Sequence, residues 1–224
     1  MKGSLPKQHI LADNHQIIEY TLKAFSASEY VDAIMVISNP VYKADVESLK
    51  PLFPKLKWVI EGGCTRIKSV ENGIVFLKDI CDEDDKIIIS DAVRPCITMA
   101  EIEGIVKSLD SHRAVTTGVE VYETILTLEG DAIVSVIPRD GVVRQTSPEG
   151  YRFSALLELY LDEKEEVIAQ YQNIGIDMLF RKGVPIGFVK SNPLNFKITL
   201  PEDMYLFEAV LKQGFDKIIG RRES

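Results

Sequence analysis

Residues 87–95 read IIISDAVRP, and they are the most informative stretch for the fold class. A short β-branched run that stops at polar residues is typical of a buried parallel strand. The carboxyl end of such a strand is where an open α/β sheet places its ligand-handling groups. Asp91 is an acid that suits a cation or a hydroxyl group there, and Arg94 suits a phosphate.

A second informative stretch, residues 195–203, reads NFKITLPED. Lys197 ends a late strand pattern, and Pro201 opens a helix, because proline is favoured at the first helical position. One acid and two fixed cations at strand ends predict a small, phosphorylated, metal-associated substrate.

Strand and helix patterns alternate on both sides of these stretches. Strand patterns cover residues 33–37, 57–60, 87–90 and 186–189, and helical patterns cover residues 15–25, 43–52, 66–77, 99–109, 153–160, 174–182 and 201–211. This alternation predicts an α/β, Rossmann-like fold with a mostly parallel sheet and helices on both faces. We expect one domain over residues 1–224.

The alternation breaks between residues 114 and 144. Strand patterns there cover residues 115–121, 124–128 and 133–137, with a turn at residues 129–131. A projecting β-arm of this kind has edges that need a partner. The sequence therefore predicts a homodimer built through the arm.

Composition limits the function classes. The 224-residue chain is 46% hydrophobic and carries a net charge of −8, which argues against a nucleic-acid surface but permits a nucleotide held by a few focused cations. Neither a bilayer-length apolar run nor the apolar segment of a secretion signal is visible. Three cysteines without CxxC spacing indicate a reduced, cytoplasmic setting and make a zinc site improbable.

Six segments occur in a family order that we recognise. They are LPKQ (5–8), GGCTRIKSVENGI (62–74), SDAVRP (90–95), VYETI (121–125), PRDGVVRQTSPEGYR (138–152) and NFKITLPEDM (195–204). With these segments the chain resembles the cytidylyltransferases that make CDP-activated polyols, namely 2-C-methyl-D-erythritol 4-phosphate cytidylyltransferase and its ribitol-5-phosphate relatives. The resemblance implies attack of a polyol phosphate on the α-phosphorus of CTP, release of pyrophosphate, and Mg²⁺ bound with the CTP phosphates. It also implies that the β-arm is a dimerisation arm.

The resemblance also implies roles for particular residues. The implied catalytic residues are Lys7, Lys197 and Arg139, and the implied nucleotide-binding residues are Gly62, Gly63, Ser69, Asp91 and Ala92. The implied acceptor-binding residues are Arg94, Thr124 and Ser147, with Arg139 and Ser147 reaching across the dimer, and Asp91 is the implied metal ligand.

The chain also departs from the family pattern. The family begins with a strand and a glycine-rich loop of the form AxGxGxRMG, whereas this chain reads MKGSLPKQ, so we expect that first strand and loop to be absent and turnover to be low. Ser90 replaces a histidine, Ser147 replaces a threonine and Glu149 replaces a glutamine.

Other interpretations remain open. The chain could be a degenerate family member that acts as a dimeric nucleotide- or partner-binding module without turnover. A Rossmann-type dehydrogenase has little support, because no GxGxxG follows any strand pattern. Taken singly, Gly62-Gly63 could be a plain turn and Lys197 a lysine that extends its charge to solvent. The acceptor, methylerythritol 4-phosphate or ribitol 5-phosphate, is left undecided.

Overall fold

Helices and strands alternate through most of the chain. The structure is a computed structural model and describes residues 5–161 and 174–220. The strands are β1 (Leu11–Ala12), β2 (His15–Gln16), β3 (Ile34–Ser38), β4 (Leu56–Glu61), β5 (Lys86–Ile89), β6 (Ala114–Glu120), β7 (Ile125–Glu129), β8 (Ala132–Ile137), β9 (Val143–Arg152) and β10 (Ile186–Lys190). The α-helices are α1 (Ile17–Ala27), α2 (Lys43–Glu47), α3 (Arg66–Leu77), α4 (Met99–Ser108), α5 (Phe153–Tyr160), α6 (Ile174–Arg181), α7 (Pro201–Lys212) and α8 (Phe215–Ile218). The mixed α/β class is confirmed.

The sheets are small and mixed, so the predicted mostly parallel, Rossmann-like sheet is not confirmed. The largest sheet has the order β10-β6-β9-β5, in which β10 and β6 are parallel and β9 is antiparallel to both of its neighbours. β3 and β4 form a separate parallel pair. Within the described residues, β3 pairs with β4 alone and β5 pairs with β9 alone, so each has one edge outside any ladder.

Sequence patterns did not predict β9, because this strand contains proline and glycine. Its pairing with β6 has a register shift between Val115 and Thr117, and Pro148 lies opposite this irregularity. A missing N–H costs little at a bulge, which is where prolines within sheets are found.

The helix predicted over residues 43–52 is shorter in the structure. α2 ends at Glu47, and the chain continues in turns such as the 3.1 Å bond from the Lys50 N–H to the Glu47 carbonyl. The Ser48 hydroxyl donates to the Asp45 carbonyl at 2.6 Å, and Pro51 disfavours helical geometry in the residue before it.

The two largest apolar clusters among the described residues pack the helices around the strands. One cluster packs α5 and α6 against α3 through buried residues that include Tyr151, Phe153 and Leu156. The other brings α1, α4 and α7 together around Ile17 and Phe207. Burial of these side chains fixes the carboxyl ends of β4 and β5, where the site residues follow. In the described ranges, no helix has both the length and the apolar character that crossing a bilayer requires.

The predicted β-arm differs from the structure in one respect. β6 is a strand of the four-stranded sheet, whereas β7 and β8 form a two-stranded hairpin of their own. Every residue of β8 is exposed, including Ile133, Val134 and Val136. The arm therefore consists of two strands rather than three, because β6 already has a sheet partner on each side.

Candidate functional site

Asp91 lies just beyond β5, among three cationic side chains. Its Oδ2 is 3.1 Å from Lys197 Nζ and 3.4 Å from Arg94 Nε, and its Oδ1 is 4.0 Å from Arg66 Nε. Three cationic side chains surround this one carboxylate, so positive charge exceeds negative charge in the cluster. The arrangement suits a dianionic or more highly charged ligand such as a phosphate group.

The charged groups of the cluster shift the pKa values of Asp91 and Arg94. Burial alone would raise the pKa of the Asp91 carboxyl, but the positive charges of Lys197, Arg66 and Arg94 and a hydrogen bond from Lys197 hold that pKa below its usual value. Burial lowers the pKa of the Arg94 guanidinium, against the opposing effect of Asp91, and the positive charge of Arg144 lowers it further. Asp91 is therefore anionic at neutral pH, and Arg94 lies in a crowded positive field.

Backbone contacts set the positions of two of these cations. Arg94 Nη1 donates to the Asn195 carbonyl at 2.9 Å, and the Ile198 N–H donates to the Val93 carbonyl at 2.9 Å. These two bonds tie the turn after β5 to the segment that carries Lys197. The sequence-predicted residues Asp91, Arg94 and Lys197 are thus brought together.

The Gly62-Gly63 loop packs tightly against the first turn of α3. The Gly63 N–H donates to Ser69 Oγ at 3.1 Å, and the Ser69 hydroxyl donates to the Thr65 carbonyl at 2.8 Å. A Cβ on Gly63 would lie 2.6 Å from the Cβ of Lys68, so a larger residue would force the loop away from the helix. Packing alone accounts for these glycines, and their contact with a base stays a prediction.

Arg66, the first residue of α3, links this loop to Asp91. In the sequence, Arg66 supports a binding role for the Gly62-Gly63 loop, but it is not among the predicted site residues. The Ala92 carbonyl accepts a 2.9 Å hydrogen bond from the Thr21 hydroxyl, which ties the same turn to α1.

Lys7 lies in a short 3₁₀ helix at Lys7–His9 and reaches the segment that follows Lys197. Its Nζ donates to the Thr199 carbonyl at 2.5 Å. Asp203 stands at the start of α7, and bonds from the Leu200 and Thr199 N–H groups, with the nearby charge of Lys7, lower the pKa of its carboxyl. The structure therefore places Lys7 on the same side of the fold as Lys197.

Thr124, predicted to bind the acceptor, and Arg139, predicted to be catalytic, lie on either side of the β7–β8 hairpin rather than in the turn after β5 that carries Asp91 and Arg94. Thr124 is exposed immediately before β7, and the exposed Arg139, just after β8, donates from Nη1 to the Tyr122 carbonyl. Ser147 behaves differently, because it is only 8% exposed and its carbonyl accepts a 2.9 Å bond from Asn195 Nδ2. Thr124 and Arg139 thus flank the hairpin, while Ser147 is linked to Arg94 through Asn195.

A cleft of about 300 Å³ opens between β6, β9 and the end of β10. It is lined by Val119, Glu120, Val121, Tyr122, Glu123, Arg144, Lys190, Ser191 and Pro193. Arg144, which was not singled out from the sequence, belongs both to this lining and to the positive field around Arg94. The cleft therefore adjoins the cationic cluster.

Asp91 is the carboxylate that the cationic cluster offers to a metal ion. Within the described residues, no group of three or more His, Cys, Asp or Glu side chains is placed to hold a metal ion. Mg²⁺ often uses one or two carboxylates and takes its remaining ligands from water and substrate phosphates. The arrangement fits a magnesium ion held mainly by bound phosphates, with Asp91 as a carboxylate within reach.

The family model and the relatives that match this chain are cytidylyltransferases. The family described as IspD, 2-C-methyl-D-erythritol 4-phosphate cytidylyltransferase, matches residues 1–213. The enzyme of that name from Lachnoclostridium phytofermentans is 32% identical, over 97% of this chain and 93% of the relative. A ribitol-5-phosphate cytidylyltransferase from Lacticaseibacillus paracasei is 28% identical, over 95% of this chain and 93% of the relative.

Solved structures agree with this match at the level of the fold. A crystal structure of 4-diphosphocytidyl-2C-methyl-D-erythritol synthase is 23% identical, has a TM-score of 0.78, and covers 92% of this chain and 95% of that one. The Francisella tularensis 2-C-methyl-D-erythritol 4-phosphate cytidylyltransferase is 24% identical, has a TM-score of 0.77, and covers 92% of this chain and 94% of that one.

Proposed function

Because this chain belongs to the IspD family, whose description is 2-C-methyl-D-erythritol 4-phosphate cytidylyltransferase, we propose that it transfers CMP from CTP to a polyol phosphate and releases pyrophosphate. The acceptor is methylerythritol 4-phosphate or ribitol 5-phosphate, the substrates named in relatives of similar identity. The observation that carries the proposal is the cluster of Arg66, Arg94 and Lys197 around Asp91, in which the cations outnumber the carboxylate.

The proposed reaction joins two anionic reactants. An oxygen of the acceptor phosphate forms a bond to the α-phosphorus of CTP, and the bond from that phosphorus to the oxygen bridging to the β-phosphorus breaks. Such a step needs positioning and charge stabilisation rather than a covalent nucleophile on the protein. In this proposal Arg94 and Lys197 hold the acceptor phosphate, and Lys7 approaches the phosphates of CTP from the Thr199 side.

The nucleotide side of the site is proposed to be the β4–α3 loop with the turn after β5. Gly62, Gly63 and Ser69 would face the cytosine, and Asp91 and Ala92 would face the ribose and the metal. Magnesium bound to the phosphates of CTP supplies positive charge that neutralises the triphosphate. Asp91 would be its carboxylate ligand, and its Oδ1 is the oxygen that Lys197 and Arg94 do not contact.

We further propose that the protein is a homodimer through the β7–β8 hairpin. Leu128 on β7 and Val136 on β8 are exposed, which favours a second copy as the partner of this face. Thr124 and Arg139, at the base of the hairpin, would then reach the acceptor site of the partner subunit. Ser147 is buried within its own chain, so in this proposal it does not reach the partner subunit. Its carbonyl instead helps to hold Asn195, which contacts Arg94.

The proposal extends to the domain organisation of the protein and its cellular compartment. We propose one nucleotidyltransferase domain over residues 1–224, with the hairpin as its arm. Cys64, Cys81 and Cys96 are all unpaired thiols, which supports a reducing, cytoplasmic compartment.

Incubation with CTP, magnesium and each of the two polyol phosphates tests the function. We expect pyrophosphate release together with a CDP-polyol product identified by mass spectrometry, and we expect one acceptor to be preferred. CTP binding without product from either acceptor would contradict the proposal and favour a binding module without turnover.

A further inference from the structure

Glu101, in the first turn of α4, is a buried carboxylate that the reaction described above does not use. It is 2% exposed. A glutamate is almost never fully buried unless its oxygens are paired, because burial removes the charge from water. Its surroundings therefore have to supply hydrogen-bond donors.

The two carboxylate oxygens of Glu101 make different contacts. Oε2 accepts from the Thr98 N–H at 2.8 Å, and the Glu101 N–H donates to Thr98 Oγ1 at 3.2 Å, which together form the capping box of α4. Oε2 also accepts from the Thr98 hydroxyl at 2.7 Å. Oε1 accepts from the Ser191 hydroxyl and, at 3.3 Å, from Asn195 Nδ2. Capping explains Oε2 alone, so the contacts of Oε1 need another explanation.

Asn195 connects Glu101 to the cationic cluster. It is 1% exposed, and its Nδ2 is shared between Glu101 and the Ser147 carbonyl. Its own backbone carbonyl accepts the 2.9 Å bond from Arg94 Nη1. The side-chain bonds of Asn195 to Glu101 and Ser147 anchor this residue, and a shift of its backbone would move the carbonyl that orients Arg94.

The charge of Glu101 also acts on Arg94. Burial and Arg144 lower the pKa of the Arg94 guanidinium, whereas the carboxylates of Asp91 and Glu101 oppose that effect. Two carboxylates, Asp91 and Glu101, therefore offset the positive charge around Arg94.

We propose that Glu101 is a positioning residue for the acceptor phosphate, because it fixes Asn195 so that the Asn195 carbonyl orients the Arg94 guanidinium. The inference rests on the proposed function in assigning the polyol phosphate to Arg94. Glu101 itself touches no substrate in this arrangement.

Glu101→Gln tests the proposal, because a glutamine of the same shape places an N–H donor where one carboxylate oxygen accepted. We expect the KM for the polyol phosphate to rise about tenfold or more while the KM for CTP changes less than about twofold. Glu103→Gln is the matched control, since Glu103 lies on the same helix and pairs with Lys107 and Tyr30 at the surface. An equal rise of both KM values in Glu101→Gln would overturn the proposal.

A double-mutant cycle tests whether Glu101 acts through Arg94. We expect Arg94→Ala combined with Glu101→Gln to be no worse than Arg94→Ala alone, because residues acting through one contact are not additive. Full additivity of the two effects would overturn the proposal. If Glu101→Gln fails to fold, Ser191→Ala replaces it, because that variant removes one donor to Oε1 and leaves the Thr98 cap intact.

Calorimetry with the polyol phosphate separates this inference from the proposed function. Binding by the wild type without turnover would contradict the function, and weaker binding by Glu101→Gln than by Glu103→Gln would still support the positioning role. Equal binding of the polyol phosphate by the two variants would overturn the positioning role, and so would undetectable binding by the wild type.

Discussion

At the scale of single residues, Asp91 is the counter-charge of three cations, and its removal should destabilise the protein in a pH-dependent way. Its pKa is lowered in the folded state, so its contribution is present above the unfolded value of about 3.9 and is lost as the pH falls through the folded pKa. We expect Asp91→Asn to lower the free energy of unfolding by about 1–3 kcal/mol at pH 7. Denaturant melts between pH 7 and pH 3 should show this difference narrowing below about pH 4. A difference that is constant across that range would contradict the charge argument.

Lys197 should matter for turnover more than for stability. Its side chain is 42% exposed and its partner is Asp91, so Lys197→Ala removes little packing but one charge at the proposed acceptor phosphate. We expect kcat/KM for the acceptor to fall by about two to three decades. Lys107→Ala is the control, since Lys107 forms a similar ion pair with Glu103 on the surface of α4. Wild-type kinetics in Lys197→Ala would exclude it from the site.

Sequence patterns locate the residues at strand ends better than those that support them. Asp91 and Arg94 follow β5 as predicted, whereas the late strand predicted to end at Lys197 is wrong, because Lys197 lies in an irregular segment seven residues after the end of β10. The structure nevertheless brings the three residues together. Glu101 could not be distinguished from an ordinary helix cap, because its second role depends on Asn195, 94 residues further along the chain. Long-range contacts of this kind leave no periodic signal in one sequence.

At the scale of elements, the β7–β8 hairpin should control the oligomeric state. Val136 is 62% exposed and pairs across the hairpin with Leu126, so Val136→Glu puts a charge on the proposed interface without removing a core contact. We expect the variant to be monomeric by light scattering at a concentration where the wild type is dimeric. Val41→Glu, at a position 78% exposed outside the hairpin, is the matched control and should stay dimeric. A monomeric wild type at micromolar concentration would contradict the arm proposal.

Whether a helix or strand could be predicted depended on whether its sequence signal lies within a few neighbouring residues. Helices such as α3 and α4 were predictable because an apolar stripe and a capping residue both lie within one short window. β9 was not, because its strand character comes from β5 and β6 on either side rather than from its own residues. In the four-stranded sheet, β9 is the strand that runs antiparallel to its neighbours. Because sequence patterns did not predict β9, they predicted a mostly parallel sheet.

At the scale of the whole molecule, a mixture of two inactive variants tests whether the arm completes the partner's site. If Arg139 acts across the dimer, a mixed dimer of Lys197→Ala and Arg139→Ala contains one intact site and one site with both changes. Random exchange of subunits should then restore up to about a quarter of the wild-type activity. The activity of the mixture is measured after subunit exchange, with each variant alone as the control. If both residues act within one chain, mixing restores nothing.

The contact between Lys7 and Thr199 has a practical consequence for handling the protein. The Lys7 ammonium donates to the Thr199 carbonyl, two residues beyond Lys197, so a bulky group attached on the amino-terminal side of Lys7 lies a short length of chain from the proposed site. An affinity tag at that end would compete for the approach to the site and could depress measured activity by itself. A tag placed after Ser224, or one removed by protease before assay, avoids confusing an obstructed enzyme with an inactive one.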